Sequence, residues 1–249
     1  MSISKPYYRI IRPTKESLDG YFGTADGNSY VVDKKYAQNR IELCRGCALL
    51  EKSLMQIFDY IEPAKKNLKT FSHRIYELQL RACTEFETNA KYILEANNYR
   101  SNNHLNITDY YKINKASRLC EYEIMYENWR GGHFVFQPFK SWSKSHTLKW
   151  YQDYNTVKHN RDQKFELANL ENTIHAVGGV VAILFSQFGI STNISPQLEL
   201  TFREDGFIRP LHCNFAIKPP TGWGSSDYYD FDWEKLKDQT GSIQAFNFI

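Results

Sequence analysis

The chain has 249 residues, of which 42% are apolar and 24% charged, and this composition is typical of a folded globular protein rather than a disordered one. Its net charge of +3 excludes a strong overall basic field, so any contact with nucleic acid has to be local. The apolar run at 176–185 is too short for a bilayer-spanning helix, which needs about 20 residues, so we expect no membrane contact.

The five cysteines, at positions 44, 47, 83, 120 and 213, are scattered and odd in number. Cys44 and Cys47 form a lone C-x-x-C pair, but a structural zinc site needs a second pair of ligands, and the sequence has none at the right spacing. The first six residues also lack the apolar stretch of a secretory signal. We therefore expect reduced thiols in a cytoplasmic protein, with no metal and no cofactor.

Extended segments and turns are predicted for the first 35 residues. Short apolar pieces at 7–12 and 29–33 are separated by Pro13 and by Asp-Gly pairs at 19–20 and 26–27, which are common in tight turns. This segment is therefore expected to add a small amount of β structure in front of the helices.

Two long helices are predicted next. The first extends from Tyr36 to about Ile61, with Pro63 beyond its end. Its apolar positions are Ile41, Ala48, Leu49, Met55 and Ile57. The second extends from about Leu68 to Asn97, and apolar residues at three- and four-residue steps indicate one continuous buried stripe. The members of that stripe are Phe71, Ile75, Leu78, Ala82, Phe86, Ala90 and Ile93.

The middle of the chain is less regular. Asp109 is a predicted N-cap of a short helix, and residues 119–126 fit either a helix or a strand. Residues 130–133 predict a turn, and Phe134–Phe136 predict a short strand. A second region of β structure is therefore expected within this part of the chain.

The last two predicted helices span about 148–161 and 164–188, and they could also form one bent helix. Gly178 and Gly179 each weaken a helix by about 1 kcal/mol relative to Ala, so their expected use is close approach of a neighbouring helix. Gly189 predicts a glycine cap at the C-terminal end.

Beyond the last helix the pattern changes to a predicted hairpin, with strands at 198–203 and 207–217. The acidic and aromatic segment Asp227–Glu234 could pack onto the helices or bind a protein partner. We predict a mainly α protein with one domain. At least four helices within 36–190 are expected to form a bundle, and 191–249 adds the hairpin and the tail.

Basic residues are concentrated in one segment. Between Lys140 and Lys164 there are six Lys or Arg residues and two acidic ones, a local balance of +4. Such a cluster is typical of a phosphate contact, although a solvated helix face can have the same composition. Any chemistry of the chain is therefore expected around this segment.

The predicted helix at 150–162 divides its residues between two sides. At 100° per residue, one side has Trp150, Tyr154, Val157 and Arg161, and the other has Tyr151, Asn155, His159 and Asp162. Histidine is the side chain that most readily moves protons near neutral pH. We therefore predict a phosphate site on this helix. Its candidate catalytic residues are Asn155, Lys158, His159 and Arg161, and its candidate binding residues are Tyr151, Tyr154 and Lys164.

A carboxylate on the second long helix is expected to support this site. Glu85 borders the apolar stripe, and a carboxylate next to an apolar surface needs a partner to offset its desolvation. Arg161 and Lys158 are the expected partners, because 154–161 is the nearest concentration of cations. The alternative is that Glu85 lies at the edge of the stripe and reaches water.

Three stretches of the sequence stand out together. They are Ala82-Cys-Thr-Glu-Phe-Glu87, Pro138-Phe-x-x-Trp142, and Trp150-Tyr-x-x-Tyr-Asn-x-Val-Lys-His-x-Arg161 followed by Phe165-x-x-Ala-Asn-Leu170. With two long helices, a later helix carrying Asn-x-x-x-His and an apolar closing helix, the chain resembles the HEPN superfamily of small all-helical domains. More narrowly, it resembles a group of uncharacterised bacterial proteins related to that superfamily. The resemblance covers about residues 36–190.

The resemblance implies a function as well as a fold. HEPN proteins are often ribonucleases of bacterial toxin–antitoxin and antiviral defence systems, and their nuclease motif, Arg-Asn/His-x-x-x-His, usually lies at a homodimer interface. Asn155 and His159 match the second and last positions, whereas Tyr154 stands at the first position in place of Arg. Arg161, on the same side of the helical wheel as Tyr154, could supply a cation instead. A homodimer is therefore expected.

Two functions from different classes stay open. In the first, the protein binds or cleaves RNA or a nucleotide in bacterial defence or stress response, and a metal-independent ribonuclease would use His159 as general base. In the second, it is a non-catalytic interaction module, in which Asn155 and His159 are structural and Asp227–Glu234 binds the partner. Tyr154 favours the second function. The local charge of +4 favours the first, and we expect RNA or nucleotide binding.

Overall fold

The computed structural model describes residues 2–15, 29–101, 103–189, 200–202, 206–210 and 213–249. Helices dominate this part of the chain, which confirms the mainly α prediction. The α-helices are α1 (Arg40–Phe58), α2 (His73–Ala96), α3 (Ile107–Tyr110), α4 (Ile113–Ser117), α5 (Lys149–His159), α6 (Arg161–Lys164), α7 (Leu170–Phe188) and α8 (Trp233–Leu236).

Helix α2 packs mainly against α7, with further contacts to α1 and α5. Its N-cap is Ser72, whose hydroxyl accepts a hydrogen bond from the Ile75 amide at 3.2 Å. The predicted apolar stripe is buried from Ile75 to Ile93, so the periodicity identified the packed face correctly. Phe71 is the exception, because it precedes the helix and its side chain is 48% exposed.

Helix α7 is buried along almost its whole length, and only Glu171 and His175 are partly exposed. The side chain of Asn169 caps its first turn by accepting a hydrogen bond from the Asn172 amide at 3.1 Å. Gly189 ends the helix as predicted, and its φ of +54° favours glycine, but its ψ of −132° differs from the left-handed helical conformation of the common glycine cap. Among the described residues, no helix, α7 included, has the length and apolar character needed to cross a membrane.

One antiparallel sheet joins the two predicted β regions. Its strands are β1 (Glu123–Trp129), β2 (Gly132–Phe136), β3 (Leu200–Phe202), β4 (Ile208–Pro210) and β5 (Phe215–Lys218), in the order β2-β1-β5-β4-β3. The C-terminal hairpin β3–β4 was predicted, but its second predicted strand, 207–217, is divided into β4 and β5, and residues 203–205 lie outside the described residues. In the middle of the chain a turn and the strand at 134–136 were predicted, while the state of 119–126 was left open, and its second half belongs to strand β1. The pairing of β5 with β1 is long-range, and no local pattern in the sequence indicates it.

Gly178 and Gly179 face aromatic rings rather than a helix backbone. A Cβ added at Gly178 would lie 2.5 Å from the ring of Phe136 on β2. A Cβ added at Gly179 would lie 3.3 Å from the ring of Trp150 on α5. The prediction of close approach is therefore confirmed, but at Gly178 the neighbour comes from the sheet.

Helix α1 buries a different face from the predicted one. Ile41 is 57% exposed and Leu49 is 47% exposed. The buried positions are Leu43, Cys44, Cys47, Leu50, Glu51, Leu54 and Ile57. Buried cysteines behave as small apolar side chains, and including Cys44 and Cys47 in the pattern moves the apolar stripe to the observed face.

Three local predictions are wrong. Residues Ser29–Val32 form a short 3-10 helix rather than an extended segment. The N-cap of α3 is Asn106, and Asp109 instead bonds back to the Asn106 amide in a capping box. Helices α5 and α7 are not one bent helix, because α6 and the 3-10 helix Phe165–Leu167 separate them. The predicted Asp-Gly turns lie outside the described residues.

The N-terminal and C-terminal segments pack against each other. Thr14 forms an isolated parallel bridge with Tyr229, and the Arg12 guanidinium pairs with the Asp227 carboxylate at 3.0 Å. The side chains of Tyr229 and Trp233 are buried. Of the two alternatives for the acidic aromatic segment, packing onto the body is therefore the one that its aromatic residues adopt.

Candidate functional site

Helix α5 is anchored through its aromatic side chains. Trp150, Tyr154 and Val157 are buried, as the helical wheel predicted, and the Trp150 indole N–H donates to the Pro138 carbonyl at 2.9 Å. Tyr151 is buried as well, which contradicts its predicted place on the solvent side. The buried side of the helix is therefore wider than expected, and only a narrow face reaches solvent.

Asp153 fixes α5 to α7. Its buried carboxylate accepts a hydrogen bond from the Asn172 side-chain amide at 2.8 Å and pairs with the Lys149 ammonium at 2.5 Å. A buried carboxylate with both an amide and a cation as partners is satisfied. Asp153 is therefore a structural residue that connects α5 to α7.

The carboxylate that contacts this segment is Glu87, not Glu85. The Tyr151 hydroxyl donates to Glu87 Oε1 at 2.8 Å, and burial, with the Glu87 charge, raises the pKa of Tyr151, which therefore stays neutral. Glu85 faces α1, where its Oε2 lies 3.2 Å from the place of a Cβ on Gly46. Among the described residues it forms no ion pair with 154–161, so the predicted contact is wrong.

Lys158 is held over the ring of Tyr154, one turn earlier on α5. Its ammonium donates to the Tyr154 hydroxyl at 3.2 Å and lies 5.3 Å from the ring centre. The hydrogen bond to Tyr154 raises the pKa of Lys158, which keeps this exposed side chain charged. Tyr154 therefore positions the cation of Lys158 on this helix.

An open pocket of about 580 Å³ lies where the end of α5 meets the start of α2, and we call it the basic aromatic pocket. The Phe165 ring lies 4.7 Å from the His73 ring and 6.0 Å from the Tyr76 ring. The Arg161 guanidinium lies 5.8 Å from the centre of the Tyr76 ring. The lining residues are His73, Tyr76, Lys158, His159, Arg161, Asp162 and Phe165. Ring faces and cations therefore share one opening.

The structure brings three of the predicted site residues together, since Lys158, His159 and Arg161 all line this pocket. The others lie elsewhere: Asn155 is half-buried one turn before His159, Tyr151 and Tyr154 are in the core, and Lys164 is exposed at the end of α6. The wheel position of Arg161 is wrong because α5 ends at His159 and a new helix begins at Arg161.

Site prediction from the sequence missed His73, Tyr76 and Phe165. The available signal was the aromatic cluster of Phe71, His73 and Tyr76 around the predicted start of a helix. The Phe71 ring packs 5.7 Å from the Phe165 ring, and this contact joins the start of α2 to the segment after α6. The paired residues are distant in sequence. The local pattern therefore shows that aromatic residues cluster around the start of α2, but not that they pack against Phe165.

The described part of the chain contains no group of three or more His, Cys, Asp or Glu side chains that could hold a metal ion. Cys44 and Cys47 are buried on α1, and burial raises the pKa of Cys44 to about 12. The thiolate is the nucleophilic and metal-binding form of cysteine. Cys44 is therefore a packed, protonated side chain at neutral pH.

The sequence matches no protein-family model, and comparisons with curated proteins and with solved structures found no similar protein. The HEPN resemblance therefore rests on the motifs of this chain alone.

Proposed function

We propose that the protein binds single-stranded RNA or a nucleotide in the basic aromatic pocket. The observation that carries this proposal is the combination of the rings of His73, Tyr76 and Phe165 with the cations of Lys158 and Arg161 around one opening. Proteins that bind single strands combine a basic surface for the backbone with aromatic rings on which unpaired bases stack.

The two kinds of contact have separate roles. The half-buried ring of Phe165 is fixed by its neighbours and offers a stacking surface, and each base stacked on an aromatic ring contributes about 1–3 kcal/mol. Arg161 can bind a phosphate through two N–H groups, and Lys158 acts as a point charge beside it. Asp162 in the same pocket limits the positive potential, which suits a short strand better than a long duplex.

Fluorescence anisotropy with a short labelled RNA tests the binding proposal. Phe165→Leu keeps an apolar side chain but removes the ring, and we expect it to weaken binding by roughly tenfold. Lys158→Gln and Arg161→Gln should each weaken binding and lower the salt slope by about 0.7. Lys164→Gln is the matched control, because it removes an exposed lysine that does not line the pocket. Equal losses in all three charge variants would contradict the proposal.

Metal-independent cleavage is the second candidate, and it is favoured by the presence of two histidines, His73 and His159, in the same pocket. Attack by the 2′-hydroxyl needs a base to take its proton and an acid to protonate the leaving 5′-oxygen. His159 would be the base and His73 the acid, while Lys158 and Arg161 stabilise the charged phosphorane. The products would be a 2′,3′-cyclic phosphate and a 5′-hydroxyl end.

Incubation with RNA in a chelator tests this second candidate. We expect cyclic-phosphate ends from the unaltered protein, and loss of the products in both His73→Ala and His159→Ala. RNA affinity should persist in His159→Ala, which leaves all three rings and both cations in place, and should fall in part in His73→Ala, which removes a ring packed on Phe165. Tight binding without products would restrict the proposal to binding.

The HEPN-like assignment also belongs to this proposal. It is supported by the packing of α1, α2, α5 and α7 against one another and by the exposed His159 at the end of α5. A role in bacterial defence or stress response stays a prediction from the resemblance. The interaction-module alternative uses the aromatic side chains of Asp227–Glu234 for a partner, and the burial of Tyr229 and Trp233 favours RNA binding over it.

A further inference from the structure

A second pocket, of about 450 Å³, lies between β2 and the start of α5, and we call it the His175 pocket. Val135, Phe136 and Trp150 contribute apolar walls, and the charged or titratable side chains that line it are Glu123, Lys140, Lys149 and His175. Sites for small molecules are commonly concave, about 300–1,000 Å³ in volume, and mostly apolar with a few convergent polar groups. The His175 pocket has a volume in this range and combines apolar walls with a larger share of polar side chains, which also include Gln137 and Ser141.

His175 faces this pocket from α7 with an uncharged imidazole. Its ring packs against the Phe136 ring, with 4.8 Å between the ring centres, and burial lowers the pKa of His175 to about 4. Within the described residues, neither ring nitrogen has a hydrogen-bond partner. A neutral imidazole donates one hydrogen bond and accepts another, so this ring is available to a ligand.

Lys140 supplies the positive charge that is not neutralised within the His175 pocket. Lys149 is paired with Asp153 at 2.5 Å, and Glu123 lies 3.9 Å from the ammonium of Lys218. Lys140 has no carboxylate partner in the part of the chain that the structure describes. The pocket therefore offers one cation and one neutral N–H donor beside aromatic walls.

We propose that the His175 pocket binds a small aromatic carboxylate. The aromatic part would pack against Val135 and Phe136, and the carboxylate would accept hydrogen bonds from the His175 imidazole and the Lys140 ammonium. A dianion such as a phosphate monoester carries more charge than one unpaired lysine offsets. A neutral aromatic molecule leaves the lysine without a counter-charge, so the carboxylate is the class that fits both groups.

An NMR titration of the full-length protein, with labelled histidine and benzoate as the probe, tests this proposal. We expect saturable shifts of the His175 ring signals, which are assigned by their loss in His175→Gln. Benzoate should also raise the pKa of His175, because a nearby carboxylate stabilises the imidazolium form. Benzamide, which has the same ring but no charge, should bind at least roughly tenfold more weakly. The charged groups around the His175 ring, which are Glu123, Lys140, Lys149 and Glu171, are the same in both titrations.

A pair of matched variants identifies the cation. Lys140→Gln should weaken benzoate binding roughly tenfold, whereas Lys144→Gln, at an exposed position of the same segment outside the pocket, should leave it unchanged. Both positions are exposed, so neither variant is expected to impair folding. The proposal is overturned if benzoate shifts His159 rather than His175, if benzamide binds equally well, or if the two lysine variants behave alike.

Discussion

Glu51 is a buried carboxylate with polar neighbours, and it forms no ion pair with any residue that the structure describes. It lies on α1, where its oxygens accept hydrogen bonds from the Asn214 amide at 2.7 Å and the Asn214 side chain at 3.3 Å. The Cys47 thiol lies 3.9 Å away. Burial raises the pKa of Glu51 to about 7, and the hydrogen bonds from Asn214 oppose that shift only in part. Its charge therefore changes close to neutral pH.

This shift predicts a pH dependence of stability. The pKa of Glu51 in the folded protein is above the ordinary carboxyl value of 4.5. Its contribution to the free energy of unfolding is therefore fully present below pH 4.5 and is lost as the pH rises through about 7. A pKa shift of this size corresponds to a change of about 3 kcal/mol in the free energy of unfolding. Glu51→Gln should flatten this part of the profile, measured by urea unfolding at about pH 5 and about pH 8. Glu42→Gln, on the exposed side of α1, is the control, and equal profiles for both variants would contradict the prediction.

Tyr151 and Glu87 give a second prediction at this scale. Tyr151→Phe removes the hydroxyl that donates to Glu87 but keeps the ring, so we expect a loss of about 1–2 kcal/mol in unfolding free energy. Tyr60→Phe, at a tyrosine that is 91% exposed, should change nothing. A double-mutant cycle with Glu87→Gln measures the coupling directly. Zero coupling would mean that the hydrogen bond does not contribute.

The two glutamates of α2 show what residue patterns can and cannot predict. Glu85 and Glu87 lie about 100° to either side of Phe86, which is buried in the middle of the stripe, so both border the packed face. The sequence predicted a contact from Glu85 to the 154–161 segment, whereas the observed contact joins Glu87 to Tyr151, outside that segment. It could not show which side of α2 faces α1 and which faces α5, because that depends on long-range packing. The prediction therefore named the wrong carboxylate.

At the scale of elements, periodicity predicted the long helices, and turn signals predicted the C-terminal hairpin and the turn between β1 and β2. The end of α5 was missed because Asn160, with φ −135° and ψ 47°, leaves the helical region without a proline or glycine to mark it. The joining of the hairpins through β1 and β5 was also missed, since strand pairing between distant segments has no local signature. Local chemistry thus predicts the elements better than their partners.

Gly178 and Gly179 allow an element-scale prediction with an internal control. Ala at either position favours the helix by about 1 kcal/mol relative to Gly. The difference in stability between the two variants therefore reports how each added methyl group packs. A Cβ at Gly178 would lie 2.5 Å from the Phe136 ring, whereas a Cβ at Gly179 would lie 3.3 Å from Trp150. We expect Gly178→Ala to destabilise by about 1–3 kcal/mol and Gly179→Ala to be close to neutral, measured by thermal unfolding. The reverse order would contradict the packing of α7 on β2.

At the scale of the whole molecule, the basic aromatic pocket exists because the start of α2 meets the end of α5. His73 and His159 are far apart in sequence, and each looks like an isolated surface histidine until the fold brings them to one opening. The sequence predicted the cationic half of the pocket from charge clustering. The aromatic half could not be assigned, because His73 and Tyr76 are on a helix whose periodicity indicated only core packing.

Assembly is the remaining prediction at this scale. The HEPN resemblance predicts a homodimer with the two α5 helices near its two-fold axis, and the exposed face of α5 includes Gln152 and His159. In an isologous dimer both copies use the same surface. An interface at α5 would therefore bring two sets of its few polar side chains together near the two-fold axis. Sedimentation equilibrium at micromolar concentration should therefore give twice the mass of one chain.

Cysteine cross-linking locates that axis. Gln152→Cys should give covalent dimers under mild oxidation, because two copies of this position would face each other across the axis. Lys91→Cys, on the exposed side of α2, is the control, and the unaltered protein reports any background from its own five cysteines. A single-chain mass at micromolar concentration would contradict the homodimer. RNA would then bind one basic aromatic pocket of an isolated chain, and the stacking and charge variants of Phe165, Lys158 and Arg161 would keep their predicted effects, since all three residues come from the same copy.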